Sequence, residues 1–132
     1  MKTNRLLKLV NMTSKLPKPI RTKLWNKAFG RIVPMVGTAK IQYIDMQPQQ
    51  VIVRMDNHKS MQNHIGQMHA CAMTLLAETA TGFVTALNVP DRVIVLIKSL
   101  HIDFKRPIQG TMQAIATLTH EQQQYMQNSD RL

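Results

Sequence analysis

Along residues 69–87, apolar side chains recur at spacings of three and four: Met73, Leu76, Ala80, Phe83 and Leu87. That period places them on one face of an α-helix. The positions between them are small or apolar too, so the helix is expected to be covered on most sides. It should begin near His69 and stop near Asn88-Val89-Pro90, because proline cannot continue a helix. It carries one charge, Glu78. A lone carboxylate on such a helix is costly unless it is paired, protonated or used.

The rest of the chain changes period. In residues 35–56, Ala39, Ile41 and Tyr43 alternate with Lys40 and Gln42, Gln47-Pro48-Gln49-Gln50 turns the chain, and Val51, Val53 and Met55 alternate with Ile52 and Arg54. This predicts an antiparallel hairpin, followed by a polar exit loop over 56–60. Residues 92–104, rich in Val, Ile and Leu, predict a long, well-buried strand. Met112, Ala114, Ala116 and Leu118 alternate with Gln113, Ile115 and Thr117 and predict the next antiparallel strand. The tail, 121–132, is polar and Gln-rich and is expected to fray. Before all of these, residues 1–34 predict two short amphipathic helices split near Pro17 and Pro19.

Length and charge refine this picture. With 132 residues the chain is one domain with a single core: a helical segment over 1–34 packed on a domain over 35–132. The net charge of +10 is unevenly placed. Ten of the 17 Lys and Arg lie in residues 1–44 with no acid among them, and the remaining seven are matched by all seven acids. The basic segment can pack on the domain with its Lys heads in water. Its other readings are contact with an anionic membrane surface or a transit-type peptide. Trp25 and Phe29 have the character of packing residues, which argues against cleavage. The sequence has no secretory apolar core and no stretch suited to spanning a bilayer. A cytoplasmic location is expected, with mitochondrial as the alternative.

Two motifs carry a family likeness. Asn63-x-x-Gly66-x-x-His69 is followed by Leu76-Ala77-Glu78, and downstream lies Ile102-Asp103-Phe104-Lys105-Arg106-Pro107 with Gly110. Over roughly residues 33–120 this resembles the hot-dog-fold thioesterases, nearest to the phenylacetyl-CoA thioesterase type. The resemblance implies an α+β hot-dog fold, in which an antiparallel sheet wraps a long central helix. Such sheets have five or six strands. Only four are legible here: either the tail pairs in a way the pattern does not reveal, or the last one or two strands are missing. The family's His-Gly-Gly is His69-Ala70-Cys71 in this chain.

The resemblance also implies a chemistry. Glu78 would be the base or nucleophile that cleaves an acyl-CoA thioester; on residue type alone, a structural acid paired with Arg or Lys is the alternative. Burial is expected to raise the pKa of Glu78. The oxyanion would meet the free N–H groups at the helix start, by resemblance that of Ala70. Asn63 would position the carbonyl or the attacking water. At about 100° per residue His69 and Glu78 point to opposite sides of the helix, so His69 is expected to organise the helix start. The family joins acid and helix start across a homodimer, and a homodimer or dimer of dimers is therefore implied. Gly66 belongs to the substrate-binding loop. His101, Lys105 and Arg106 are candidates for the phosphates of coenzyme A, which is part of the substrate; no separate cofactor is expected.

Other chemistries have less support. His58, His64 and His69 lack the i, i+4 spacing of a helical metal site, and no metal is expected. Cys71 is a lone cysteine without a convincing base and reads as a small buried hydrophobe. Two rival functions remain: a non-catalytic acyl- or acyl-CoA-binding hot-dog protein, and a membrane-surface or nucleic-acid protein driven by the basic N-terminus. Aromatic side chains suited to base stacking are few, so no nucleic-acid partner is expected.

Overall fold

A computed structural model describes residues 4–129. The N-terminal segment folds as expected into two helices, α1 (Arg5–Thr13) and α2 (Lys18–Ile32). The Asn4 side chain caps α1 by accepting from the Leu7 N–H at 2.7 Å, satisfying an N–H the first turn leaves free. Its Nδ2 donates to the carbonyls of Ala86 (2.6 Å) and Val89 (2.7 Å), which ties α1 to the far end of the central helix. Pro19 sits in the first turn of α2, where a missing N–H costs nothing. Trp25 and Phe29 are buried, and the Trp25 Nε1–H donates to Thr13 Oγ1 at 2.8 Å, locking α2 to α1.

A short helix that the sequence pattern does not announce, α3 (Pro34–Thr38), follows directly. It closes in a Schellman arrangement. The Ile41 N–H donates to the Val36 carbonyl and the Lys40 N–H to the Gly37 carbonyl, with Lys40 at a positive φ of 53° and Val36 and Ile41 buried against the core. This helix lies against α2 at a glycine contact: a Cβ at Gly37 would stand 2.5 Å from the Gly30 carbonyl oxygen.

The hairpin is formed by β1 (Gln42–Gln47) and β2 (Gln50–Met55), and β3 (Met112–Thr117) adds to β2, giving the antiparallel order β1-β2-β3. A bulge between Tyr43 and Asp45 bends β1. Val51, Val53 and Met55 are wholly buried on the inner face. Opposite them on β3 stand Ala116, Ala114 and Met112 in register. The central helix, α4 (Ala70–Ala86), crosses that face and buries Ala72, Leu76, Thr79, Ala80 and Val84. Phe29, Tyr43 and Phe83 form a three-ring cluster with centroids 4.8–5.0 Å apart, joining α2, β1 and α4. The result is the hot-dog arrangement of helix and wrapping sheet.

Several expectations are corrected. Residues 92–104 form no strand and are not buried: Ile94 and Leu96 are 80% and 82% exposed. A Val/Ile/Leu run becomes a strand only where a neighbouring backbone completes its ladder, and none lies beside it among the described residues. The sheet there has three strands, not four. The stripe on α4 is also shifted: Met73 and Phe83 are half-buried, while Ala72, Thr79 and Val84 join the core. The polar tail forms helix α5 (His120–Asn128), started by a capping box between Thr119 and Gln122. Residues 1–3 and 130–132 of the expected terminal segments lie outside the described residues.

Candidate functional site

The loop before α4 is built on its own backbone. Asn63 Oδ1 accepts from the N–H groups of Ile65 and Gln67, both at 3.0 Å, and the Asn63 N–H donates to the Gln67 carbonyl at 2.8 Å. The chain can double back this tightly because Gly66 adopts a φ of +75°, a region costly for residues with a Cβ. The amide oxygen of Asn63 is thus committed to the loop. Its Nδ2 makes no hydrogen bond among the described residues and remains a free donor.

His69 is the N-cap of α4. Its Nδ1 accepts from the Cys71 N–H at 2.9 Å, so the neutral ring carries its proton on Nε2. The His69 N–H donates to the Met61 carbonyl at 2.8 Å. The side chain thus caps the start of α4. With Cys71 capped, the Ala70 N–H is left without a partner among the described residues, at the positive end of the α4 dipole.

Glu78 lies two turns along the same helix. It is half-buried, on the side of α4 turned away from the sheet. Two grooves meet at it. One, of about 500 Å³, runs between the Glu78–Ala86 side of α4 and residues 94–98, with Val33 and Val36 at its wall. The other, of about 400 Å³, lies between Cys71, Thr74, Leu75 and Glu78 on α4 and residues 97–100. Lys98 lines both. Position 82 does not crowd the carboxylate: even an added Cβ there would lie 3.5 Å from Glu78 Oε1, an ordinary contact. The Thr74, Thr81 and Thr85 hydroxyls on this side donate to helix carbonyls one turn back. Beneath the site, Tyr43 is wholly buried and its hydroxyl has no hydrogen-bond partner among the described residues. Burial, and secondly the negative charge of Glu78, push the Tyr43 phenol above its ordinary pKa.

The two sequence motifs come together in space. The Met68 N–H donates to the Ile108 carbonyl at 2.8 Å. Asn57 Nδ2 donates to the carbonyls of Gln109 (2.6 Å) and Gly66 (3.2 Å). The stretch after Arg106 is thereby stitched to the loop before α4. His101, Lys105 and Arg106 are exposed and line neither groove; His101 faces Asp103 at 3.3 Å. Cys71 is exposed, not a buried hydrophobe, because α4 begins at the rim of the fold. No three His, Cys, Asp or Glu side chains converge in a metal-binding group among the described residues. Sequence reasoning passed over Asn57, Tyr43 and the groove position of Lys98. Asn57 and Tyr43 offer no local signal; Lys98 is a lone cation in an apolar run.

Residues 21–131 match the sequence profile of a domain of unknown function, DUF4442. Among solved structures, a Pseudomonas aeruginosa protein of unknown function, PA5026, described as a probable thioesterase, superposes with a TM-score of 0.68 at 26% identity, over 78% of this chain and 69% of that one. The genomics structure APC5556 superposes with a TM-score of 0.68 at 20% identity, over 85% and 74% of the two chains. No curated protein matches the sequence significantly.

Proposed function

The chain belongs to the DUF4442 family and has the hot-dog fold, and from that premise we propose that it is an acyl-CoA thioesterase whose active site is shared between two copies. The observation that carries the reading is the placing of Glu78, the one carboxylate of α4, where the two grooves meet. One groove of about 500 Å³ and another of about 400 Å³, meeting at Glu78, suit the two arms of a thioester. The 26% identical PA5026 protein, described as a probable thioesterase, supports the reading.

In this mechanism a water oxygen adds to the thioester carbonyl carbon while its proton passes to the Glu78 carboxylate. The oxyanion that forms accepts from the Ala70 N–H, and Asn63 Nδ2 holds the same carbonyl or the water. The C–S bond then breaks, and the proton on Glu78 passes to the departing thiolate. Ala70 and Glu78 of one helix cannot serve one carbonyl: eight residues at 1.5 Å separate them by about 12 Å along the axis. Glu78 of one protomer therefore works with Asn63 and Ala70 of a second. The exposed apolar side chains of residues 94–104, with unladdered backbone, supply a surface for such a pairing.

The test is release of free thiol from a panel of short, aromatic and long acyl-CoAs. Glu78→Gln should lower kcat by about a hundredfold or more, and Asn63→Ala should also be impaired. Mixing these two variants should partly restore turnover, because some mixed dimers hold one intact composite site. Turnover unchanged in Glu78→Gln removes the mechanism; absence of any rescue removes the shared site. Tight acyl-CoA binding without turnover in the wild type would instead make this an acyl-CoA-binding protein.

A further inference from the structure

We propose that the outer face of α1 and α2 is a docking surface for a membrane rich in anionic lipid. The inference does not depend on the thioesterase reading. Once Leu7, Val10, Trp25 and Phe29 are buried, the side of these helices facing solvent is not simply polar. Leu9 and Met12 are exposed three apart on α1, Leu16 is exposed in the turn between the helices, and Ile20 and Leu24 are exposed four apart on α2. Met12 is 74% exposed and Ile20 56%. The described residues leave these side chains 39–74% exposed. Residues 93–104 also expose apolar side chains, but they carry mixed charge and have a role in the pairing proposed above.

Cations accompany the apolar residues. Lys8, Lys15, Lys18, Lys23 and Lys27 are exposed among them. Residues 1–44 contain no acid. Among the described residues, Arg5, facing Asp91 at 3.8 Å, is the one α1–α2 cation within ion-pair distance of a carboxylate. Self-repulsion of this kind is relieved by a negatively charged surface. Apolar tips interleaved with Lys are the pattern of a helix lying in a lipid interface, the tips entering the acyl boundary and the ammonium groups meeting headgroup phosphates. A nucleic acid would satisfy the charge but leave the apolar tips unused. It would also want exposed rings for stacking, and Trp25, Phe29 and Tyr43, the aromatic residues of this region, are all buried. No helix among the described residues is long and apolar enough to cross a bilayer, so the contact is peripheral. The Thr13–Trp25 hydrogen bond holds the two helices together in advance, so docking needs no folding step.

The experiment is co-sedimentation of the full chain with vesicles of phosphatidylcholine alone and of phosphatidylcholine mixed with phosphatidylglycerol. A duplex DNA oligonucleotide serves as competitor. Binding is expected to the mixed vesicles and to weaken as salt is raised. Lys23→Ala and Lys27→Ala should each weaken it about fivefold, and Met12→Ser and Leu24→Ser each by up to about tenfold. All four positions are exposed, and circular dichroism of each variant verifies the fold. Failure to bind the mixed vesicles at low salt overturns the proposal. So does binding that is lost with the Lys substitutions, is indifferent to the Ser substitutions and is competed fully by DNA, which marks a nucleic-acid surface.

Discussion

Tyr43→Phe is the substitution whose outcome the structure constrains most tightly. The phenol is wholly buried, its hydroxyl has no partner among the described residues, and its ring packs on Phe29 and Phe83. Phenylalanine keeps the ring contacts and removes only the hydroxyl. An unsatisfied buried polar group costs about 1–3 kcal/mol, so the variant should be more stable by about 1 kcal/mol at neutral pH, the low end. For a domain of this size that is a rise in Tm of about 4 °C. The phenol of the folded protein is held above its ordinary pKa, first by burial and then by the charge of Glu78. Its folded pKa therefore exceeds the unfolded one, and the folded state holds the proton more firmly. The stability linked to this proton is complete below about pH 10 and is lost as the pH rises beyond it. The advantage of the Phe variant should widen by roughly 1.4 kcal/mol at about pH 11. Urea denaturation of both proteins at neutral and alkaline pH measures this. Differencing the two removes the contribution of the lysines, which they share. A variant less stable at neutral pH, or a gap that does not grow with pH, refutes the reasoning and places a hydrogen-bond partner at the Tyr43 hydroxyl.

Two further substitutions test the elements around the site. Gly37→Ala drives a methyl group to 2.5 Å from the Gly30 carbonyl oxygen, so α2 and α3 must part; a loss of about 2 kcal/mol in a thermal melt is expected. His69→Ala removes the acceptor that caps Cys71 and should cost about 1 kcal/mol. His69→Ser, which can cap in the same way, should recover most of that and keep turnover within several-fold of wild type; a much larger loss of turnover at full stability would make the imidazole a participant in catalysis.

Much of the architecture was legible because its causes are local. The 3.6-residue period of α4, proline in the first turn of α2 and the two-residue alternation of β1 and β2 each follow from side chains near in sequence. The α3 turn was not legible in this way. Its sequence continues an apolar run from α2, and the short helix depends on the Gly30–Gly37 approach and on Lys40 accepting a positive φ. Residues 92–104 show the opposite failure. Their Val, Ile and Leu content signals an extended buried strand, but extension and burial are separate properties. Burial requires a neighbouring backbone and a face to cover, and neither is encoded in the run itself. The tail misled for a similar reason: low hydropathy predicts fraying, while the Thr119–Gln122 capping box is enough to start α5.

The same distinction divides the candidate site. Asn63, Gly66 and His69 do their structural work within four residues of themselves, as a loop brace, a left-handed turn and a helix cap. A motif can report such residues because spacing along the chain is spacing in the loop. Asn57 bonds to a carbonyl 52 residues away, and Tyr43 meets Phe83 and the charge of Glu78 only after β1 lies against α4. No spacing rule reaches them. Glu78 belongs to both classes. Its position on a helix that otherwise lacks charge is a sequence fact, whereas its value as a catalytic group depends on the grooves, which residues 94–100 close from the other side. Because that wall is an exposed apolar segment without a ladder, its setting should be the part of the site most sensitive to pairing with a second copy. The proposed shared active site and the unpaired segment are then two consequences of one incomplete surface, and a variant that weakens the pairing there should lose turnover before it loses the fold of α4 and its sheet.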